Sequence, residues 1–234
     1  MKILLIGNYV HNRQQSMERF AELMQELLRA AGHEVRLLRP VSFVGELKPS
    51  ETGFGKWLGY IDRFVLFQPR LRREAAWADV VHICDHANAV YVPALGGKPH
   101  LVTCHDLLAI RSALGEFVGN PTAWSGRIFQ RWILNSLRQA QHVVCDSAQT
   151  QAELLRVAAL PAARSRVVPI ALNYPYCAMP PDEARSRLRS LGATGRWPYF
   201  LHVGGTQWYK NRSGVVRIFQ HLATLPAFER HHLV

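Results

Sequence analysis

Three short stretches of this sequence place polar or small residues directly behind apolar runs, where a buried strand would end. Gly7 and Asn8 follow Lys2–Ile6 (KILLI). Glycine permits a tight turn and close approach of backbone to a ligand, although a plain turn would use the same pair. No G-x-G-x-x-G follows, which argues against a dinucleotide site. His105 and Asp106 follow His100–Thr103. A histidine there can donate to a sugar hydroxyl or a diphosphate, with its charge set by its neighbours, while Asp106 is suited to capping a helix that opens at Leu107. Gly204, Gly205 and Thr206 end a third apolar run, with Lys210 just before a helix near Asn211–Ser213 and Arg212 within its start. Free amides at a helix start favour anions, and Lys210 adds a mobile charge able to follow a diphosphate leaving group. Arg212 either assists or is part of a solvated helix surface.

The elements that must position these residues alternate. Lys2–Ile6 reads as a strand buried on both faces. From Met17 to Ala31 the apolar residues Phe20, Leu23, Met24, Leu27 and Leu28 recur at helical spacing, Gly32 stops the helix, and Glu34–Leu38 returns to a strand. Pro40–Gly55 reads as irregular and Lys56–Arg73 as helical. Further strands are predicted at Asp79–Ile83, His100–Thr103, His142–Cys145 and Val167–Pro169, and helices at Ser125–Ala140 and from Ser147 to a stop at Pro161. Strand and helix alternate throughout, which predicts an α/β fold with a parallel sheet. Asn173–Pro181 is rich in proline and tyrosine, a linker signature. A short helix at Asp182–Leu191, a strand at Tyr199–Val203, a helix at Ser213–Thr224 and a strand from His231 begin a second α/β unit. A lone β-α-β unit cannot cover its own apolar faces, so the intact protein is expected to continue past Val234.

Composition narrows the classes. The formal charge is +11, carried by more arginine than lysine; nucleic acid, an anionic membrane surface and an anionic small substrate are the partners such a charge would suit. The basic residues are spread through every predicted helix with no nucleic-acid-binding module, which argues against nucleic acid. No apolar run approaches the roughly 20 residues that span a bilayer, and Met1–Gly7 lacks the form of a signal peptide; a cytoplasmic protein is expected. Cys84, Cys104, Cys145 and Cys177 show no C-x-x-C pair and read as reduced thiols. Three of them lie near His86, His105 and Asp146, yet the spacing matches no zinc pattern, and no metal is expected.

Taken in order, RQQSMERFAELMQELLRAAGHEV, DVVHICDHANAVY, LVTCHDLLAIRSALGE, VVCDSAQTQAELLR, RVVPIALN and YFLHVGGTQWYKNRSGVVRIF resemble glycosyltransferase family 4, of the two-lobed GT-B architecture. The resemblance covers nearly the whole chain. It implies a Rossmann-like acceptor-side lobe over 1–172, a linker over 173–195, and the start of a nucleotide-sugar-binding lobe over 196–234. It further implies retaining, metal-independent transfer from a nucleotide sugar, which is a substrate rather than a cofactor, to a glycan, a lipid-linked or a small acceptor. His105 and Lys210 become the catalytic candidates, with His105 near the donor sugar. Gly204, Gly205, Thr206, Lys210 and Arg212 would bind the donor, Lys210 in the place of the family's phosphate-binding lysine; Gly7, Asn8 and Asp106 would line the cleft.

The sequence departs from the family in three places. Gly205 stands where the family often has arginine, so that charge is missing unless Arg212 supplies it. Ile170-Ala171-Leu172-Asn173 replaces a common Asn-Gly-x-Asp turn. Two second-lobe glutamates separated by seven residues do not occur before Val234, so these residues alone are expected to be inactive. The alternative reading is a non-catalytic Rossmann-like module that binds a sugar, lipid or protein; a nicotinamide-dependent oxidoreductase is disfavoured by the glycine spacing. Two aromatic-basic stripes, Trp57, Tyr60, Phe64 and Phe67, and Trp124, Ile128, Phe129, Trp132 and Ile133, either pack into the core or, if exposed, suit peripheral attachment to the inner face of an anionic membrane.

Overall fold

The computed structural model describes residues 1–9, 15–43, 58–172, 176–192, 198–205 and 207–234. Two compact units are present, Met1–Asn173 and Tyr174–Val234.

The first unit is built on six parallel strands, β1 (Lys2–Ile6), β2 (Glu34–Leu38), β3 (Val80–Ile83), β4 (His100–Cys104), β5 (His142–Cys145) and β6 (Ser165–Val167), in the order β2-β1-β3-β4-β5-β6. The alternation of β1 explains why both sheet faces are covered. Leu4 and Ile6 point into the larger core cluster, with Leu71, Val81, Ile83, Val102, Leu137 and Leu154. Ile3 and Leu5 point into the smaller one, against Ala21 and the partly buried Phe20, Met24 and Leu28. Those last three lie four residues apart on the helix Gln15–Ala30, the spacing that presents one face to a sheet. Gly32, at φ +82°, turns the chain out of that helix toward β2.

On the other face lie the helices Phe67–Trp77, Trp124–Leu137 and Ala148–Ala158. Phe67 and Leu71 from the first of these, Ile133, Leu134 and Leu137 from the second, and Leu154 and Val157 from the third are buried in one cluster. The Ser147 hydroxyl accepts the Thr150 amide at 3.1 Å and so starts the last helix. Ala159, in left-handed conformation at φ 51°, ends it before the expected stop at Pro161 is reached. Phe67–Trp77 runs past the expected end at Arg73 and is entered through a π-helical turn, Asp62–Leu66. Lys56 and Trp57, where that helix was expected to begin, lie outside the described residues. The longest element with no counterpart among the expected ones is the 3-10 helix His86–Leu95, capped by the Asp85 side chain on the Ala87 amide; the 3-10 turns Ala162–Arg164 and Trp208–Lys210 have none either. The run Ala89–Leu95 carries no helical period and contains Pro93, so apolar patterning is silent there.

The second unit holds the helix Pro181–Ser190, the parallel pair β7 (Tyr199–Phe200) and β8 (His232–Leu233), and the helix Arg212–Leu222 between them. Pro181 occupies the first helical turn, followed by Asp182 and Glu183, with Arg187 and Arg189 in the last turn; this order suits both the missing proline donor and the helix dipole. Phe200 packs its ring near Phe219, Phe228 and His231. The strand predicted through Val203 is shorter, and its pairing continues as the Val234 amide to the Phe200 carbonyl and the His202 amide to the Val234 carbonyl, both 2.9 Å. Among the described residues no helix is long and apolar enough to cross a membrane.

Candidate functional site

In the first unit the order β2-β1-β3 means that the chain winds one way from β1 and the other way from β3. The crevice outside the carboxyl ends of such a pair is where open α/β sheets bind ligands. Polar side chains converge there, and most are buried. Asn8, behind β1, donates its amide to the Asp85 carboxylate, behind β3, at 2.7 Å. Asn88 donates to the Asn8 oxygen at 2.6 Å and lies 3.4 Å from the Gly7 carbonyl. Asp85 also accepts the Ala87 amide at 2.9 Å. Asn8 therefore ties two strand ends together. Gly7 sits in a tight place: a Cβ would stand 3.2 Å from the Arg39 side chain and 3.3 Å from that of Leu37, so both would have to give way slightly.

Two buried donors depend on Asp85. Asp85→Ala would remove the carboxylate that accepts from the Asn8 amide and the Ala87 N–H, a loss of roughly 2–6 kcal/mol at about 1–3 kcal/mol per hydrogen bond removed. Asp85→Asn would instead turn an amide toward the amide of Asn8. Urea unfolding of both variants should place Asp85→Ala well below the wild type; equal midpoints would show that the tie is not structural.

His105, behind β4, sits one strand further along. Its Nδ1 lies 2.6 Å from the Asp146 carboxylate, behind β5, and its Nε2 lies 2.9 Å from the Cys84 carbonyl, behind β3. Both partners only accept, so both ring nitrogens donate and the ring is an imidazolium. Burial by itself would lower its pKa; the hydrogen bond and charge of Asp146, with help from the Cys84 carbonyl, lift it above the ordinary histidine value. Phe20 meets the ring edge-on at 4.9 Å. His82 beneath it is the opposite case: burial first, then the charge of His105, pull its pKa to about 4, so it is a neutral ring bonded to the Thr103 hydroxyl at 2.7 Å. The Thr150 hydroxyl bonds the His105 carbonyl at 3.2 Å and locks the backbone to the helix Ala148–Ala158.

Asp106 accepts the Leu108 amide at 3.0 Å, one residue ahead of Leu107, the N-cap of the helix Leu108–Ala113, so it is not itself the cap expected from its position. Cys84, Cys104 and Cys145 are buried free thiols and Cys177 an exposed one. Cys104 and Cys145 are register partners across β4 and β5, and burial pushes the Cys84 thiol up to about 12. Among the described residues no three His, Cys, Asp or Glu side chains are grouped to hold a metal ion.

The second unit carries the glycine loop. A Cβ on Gly204 would stand 3.3 Å from the His202 ring and 3.8 Å from Cδ of Lys210, so the lysine stem lies alongside this glycine. Lys210 ends a 3-10 turn, Trp208–Lys210, with its Nζ 5.5 Å from the centre of the Tyr209 ring. No carboxylate pairs with it among the described residues. Asn211, left-handed at φ 46°, reverses the chain and caps the helix by accepting the Gly214 amide at 3.2 Å. Asparagine tolerates that conformation better than most residues.

The amides around Lys210 divide into two groups. Those of Lys210 and Asn211 bond Gln207 and Trp208 carbonyls, and that of Val215 bonds the Asn211 carbonyl. Among the described residues the amides of Arg212 and Ser213, at the start of the helix, have no partner in the fold, fewer amides than a bare helix start would offer. The Arg212 guanidinium donates to the Gly204 carbonyl at 3.0 Å, which sets a full charge on the loop where Gly205 carries none. A Cβ at Gly205 would meet only the mobile end of Gln207. Thr206 lies outside the described residues.

Asp85, Asn88 and Asp146 were not nominated from sequence as site residues. A signal for two of them exists: VVHIC-Asp85 and HVVC-Asp146 repeat the pattern of an apolar run followed by a polar residue that drew attention to His105.

Comparison with known proteins adds a family and a fold. A profile described as Glycosyltransferase Family 4 matches residues 17–173. No curated protein matches the chain. Among solved structures, HepE of Anabaena in complex with UDP and glucose is 14% identical, with a TM-score of 0.60 over 100% of this chain and 60% of that one. The lipopolysaccharide outer core galactosyltransferase WaaB in its apo form is 14% identical, with a TM-score of 0.54 over 95% of this chain and 57% of that one. A glycosyltransferase from Rickettsia africae is 12% identical, with a TM-score of 0.53 over 100% and 67%. At these identities the likeness is one of fold, a Rossmann-like lobe of GT-B type. The chain spans 60% of the length of HepE.

Proposed function

Because the chain belongs to glycosyltransferase family 4, we propose that it serves the transfer of a hexose from a nucleotide sugar to a glycan, lipid-linked or small acceptor, with retention at the anomeric carbon. The observation that carries this reading is the second-unit loop, where Lys210, Arg212 and the open amides of Arg212 and Ser213 gather positive charge behind Gly204. Such preorganised donors act on charge that grows on a departing diphosphate, and interactions stronger in the transition state than in the ground state accelerate the reaction. HepE was solved with UDP and glucose, which supports a uridine-type donor.

In this reading residues 1–172 hold the acceptor, 173–195 link, and 196–234 begin the donor-binding lobe. His105, a cation fixed by Asp146, favours negative charge developing at the sheet edge; its N–H groups are engaged, so it acts through charge unless it swings free. Gly7, Asn8 and Asp106 shape the acceptor side. The nucleotide sugar and the acceptor are the partners required, no cofactor takes part, and the protein works in the cytoplasm at the inner face of a membrane.

Calorimetric titration separates this reading from that of a module without nucleotide chemistry. UDP should bind and uridine should not, because the loop reads phosphate. Equal heats from the two, or none from either, would refute the diphosphate assignment.

A further inference from the structure

The helix Trp124–Leu137 buries Ile133, Leu134 and Leu137 against the sheet but leaves Trp124 73%, Ile128 55% and Trp132 41% exposed. These three recur every four residues and so form one strip along the helix. The neighbouring segment is pinned beside it: Tyr60 stacks on Phe129 with ring centres 5.5 Å apart, and Phe64 meets Trp132 edge-on at 4.8 Å. That contact turns Phe64 and Phe67 inward and leaves Ile61 and Val65 exposed next to them. The stripe named from sequence in this segment is thus mostly packed, and its neighbours face solvent. Trp57 lies outside the described residues.

Charge along this helix has one sign. No aspartate or glutamate occurs from Phe117 to Cys145, while Arg127 and Arg131 are exposed on the flank of the same helix. An exposed strip with two indoles is unusual on a chain with no partner for it. Tryptophan favours the headgroup layer of a bilayer, where its ring is shielded and its N–H is wet, and arginines beside it gain from anionic lipid. A second copy of the chain is a poorer occupant, since a two-fold contact would bring these arginines face to face.

We propose that this face docks the chain onto an anionic lipid bilayer, with Trp124, Ile128 and Trp132 in the headgroup layer and Arg127 and Arg131 on lipid phosphates. The docking rests on the membrane part of the function proposed above and names the surface that performs it.

The test needs neither donor nor acceptor. The full chain is sedimented with vesicles of phosphatidylglycerol and phosphatidylcholine in equal parts, and with phosphatidylcholine alone, at low and high salt. Tryptophan emission is followed in parallel. We expect pelleting with the anionic vesicles only, a blue shift of emission, and release by salt. Arg127→Gln with Arg131→Gln should lower partitioning about thirtyfold, from the usual attraction of each basic residue to an anionic leaflet. Trp124→Ser with Ile128→Ser should lower it at least about tenfold, from the apolar surface withdrawn. Both pairs are exposed, so melting temperatures should match the wild type. A wild-type chain that stays in solution, or variants that pellet as it does, would overturn the proposal. So would a wild-type dimer that the Trp124→Ser variant dissociates, which would assign the face to a second copy. A chain that binds vesicles yet fails to bind UDP would leave the docking intact and remove only the transfer reading.

Discussion

Lys210→Ala is expected to weaken UDP binding about ten- to hundredfold while leaving thermal stability unchanged. The lysine has no carboxylate partner among the described residues and its stem lies along Gly204, so its removal strands nothing in the fold. A hydrogen bond to a charged group contributes about 1.5–3 kcal/mol, which sets the range. Arg212→Ala should cost less, because one of its N–H groups is already engaged by the Gly204 carbonyl and because the side chain also steadies the loop. Titration calorimetry of both variants checks the order. If Arg212→Ala were the more damaging, the phosphate would be read mainly by the guanidinium, and the missing charge at Gly205 would be fully compensated from helix Arg212–Leu222.

The second large effect concerns His105 and Asp146. Removing Asp146 leaves a nearly buried imidazolium without its counter-charge: the His105 side chain is 9% exposed and that of Asp146 20%. Breaking a buried pair costs about 3–5 kcal/mol, so about 2–4 kcal/mol is expected for Asp146→Ala given the partial exposure of the carboxylate. The pH dependence has a definite sign. The folded pKa of His105 lies above its unfolded value, so the folded state holds the proton more tightly. Its stabilisation is complete below about pH 6.5, the ordinary histidine value, and is lost as pH rises through the raised folded value. His82 works in the other direction: its folded pKa of about 4 removes stability as pH falls below about 6.5. The two can be separated by difference, because Asp146→Asn acts directly on the first and reaches the second only through the charge of His105, the smaller of its two causes. The stability gap between wild type and Asp146→Asn should be widest in mild acid and should narrow toward alkaline pH. A gap that grows with pH, or is flat, would mean that His105 is neutral and accepts one of its bonds.

Much of this could be read from the residues alone, and the reasons differ by element. Strands such as KILLI and HVVC are apolar because a parallel sheet is covered on both faces, so their positions and the polar residues behind them were visible. Ser147 as a cap and Gly32 as a stop act through local chemistry and were equally visible. What stayed hidden depends on partners far along the chain. Asn8 was nominated for a cleft, but its amide is spent on Asp85, 77 residues away, and spacing cannot reveal such a pairing. His105 was read as a donor to substrate; both its nitrogens are engaged by Asp146 and by the carbonyl of Cys84. The helix stop at Ala159 was missed because a left-handed alanine carries no sequence signal. The aromatic stripe of residues 60–67 faces inward because Phe129 and Trp132 offer it rings to pack on, a tertiary choice that helical periodicity leaves open.

The account turns on where a diphosphate settles. Backbone amide signals of the isotope-labelled chain, followed as UDP is added, address this directly. The signals of Arg212 and Ser213 should move first and furthest, and Lys210→Ala should abolish their movement. If UDP binds while those two signals stay fixed and others move instead, the loop behind Gly204 is not the phosphate site.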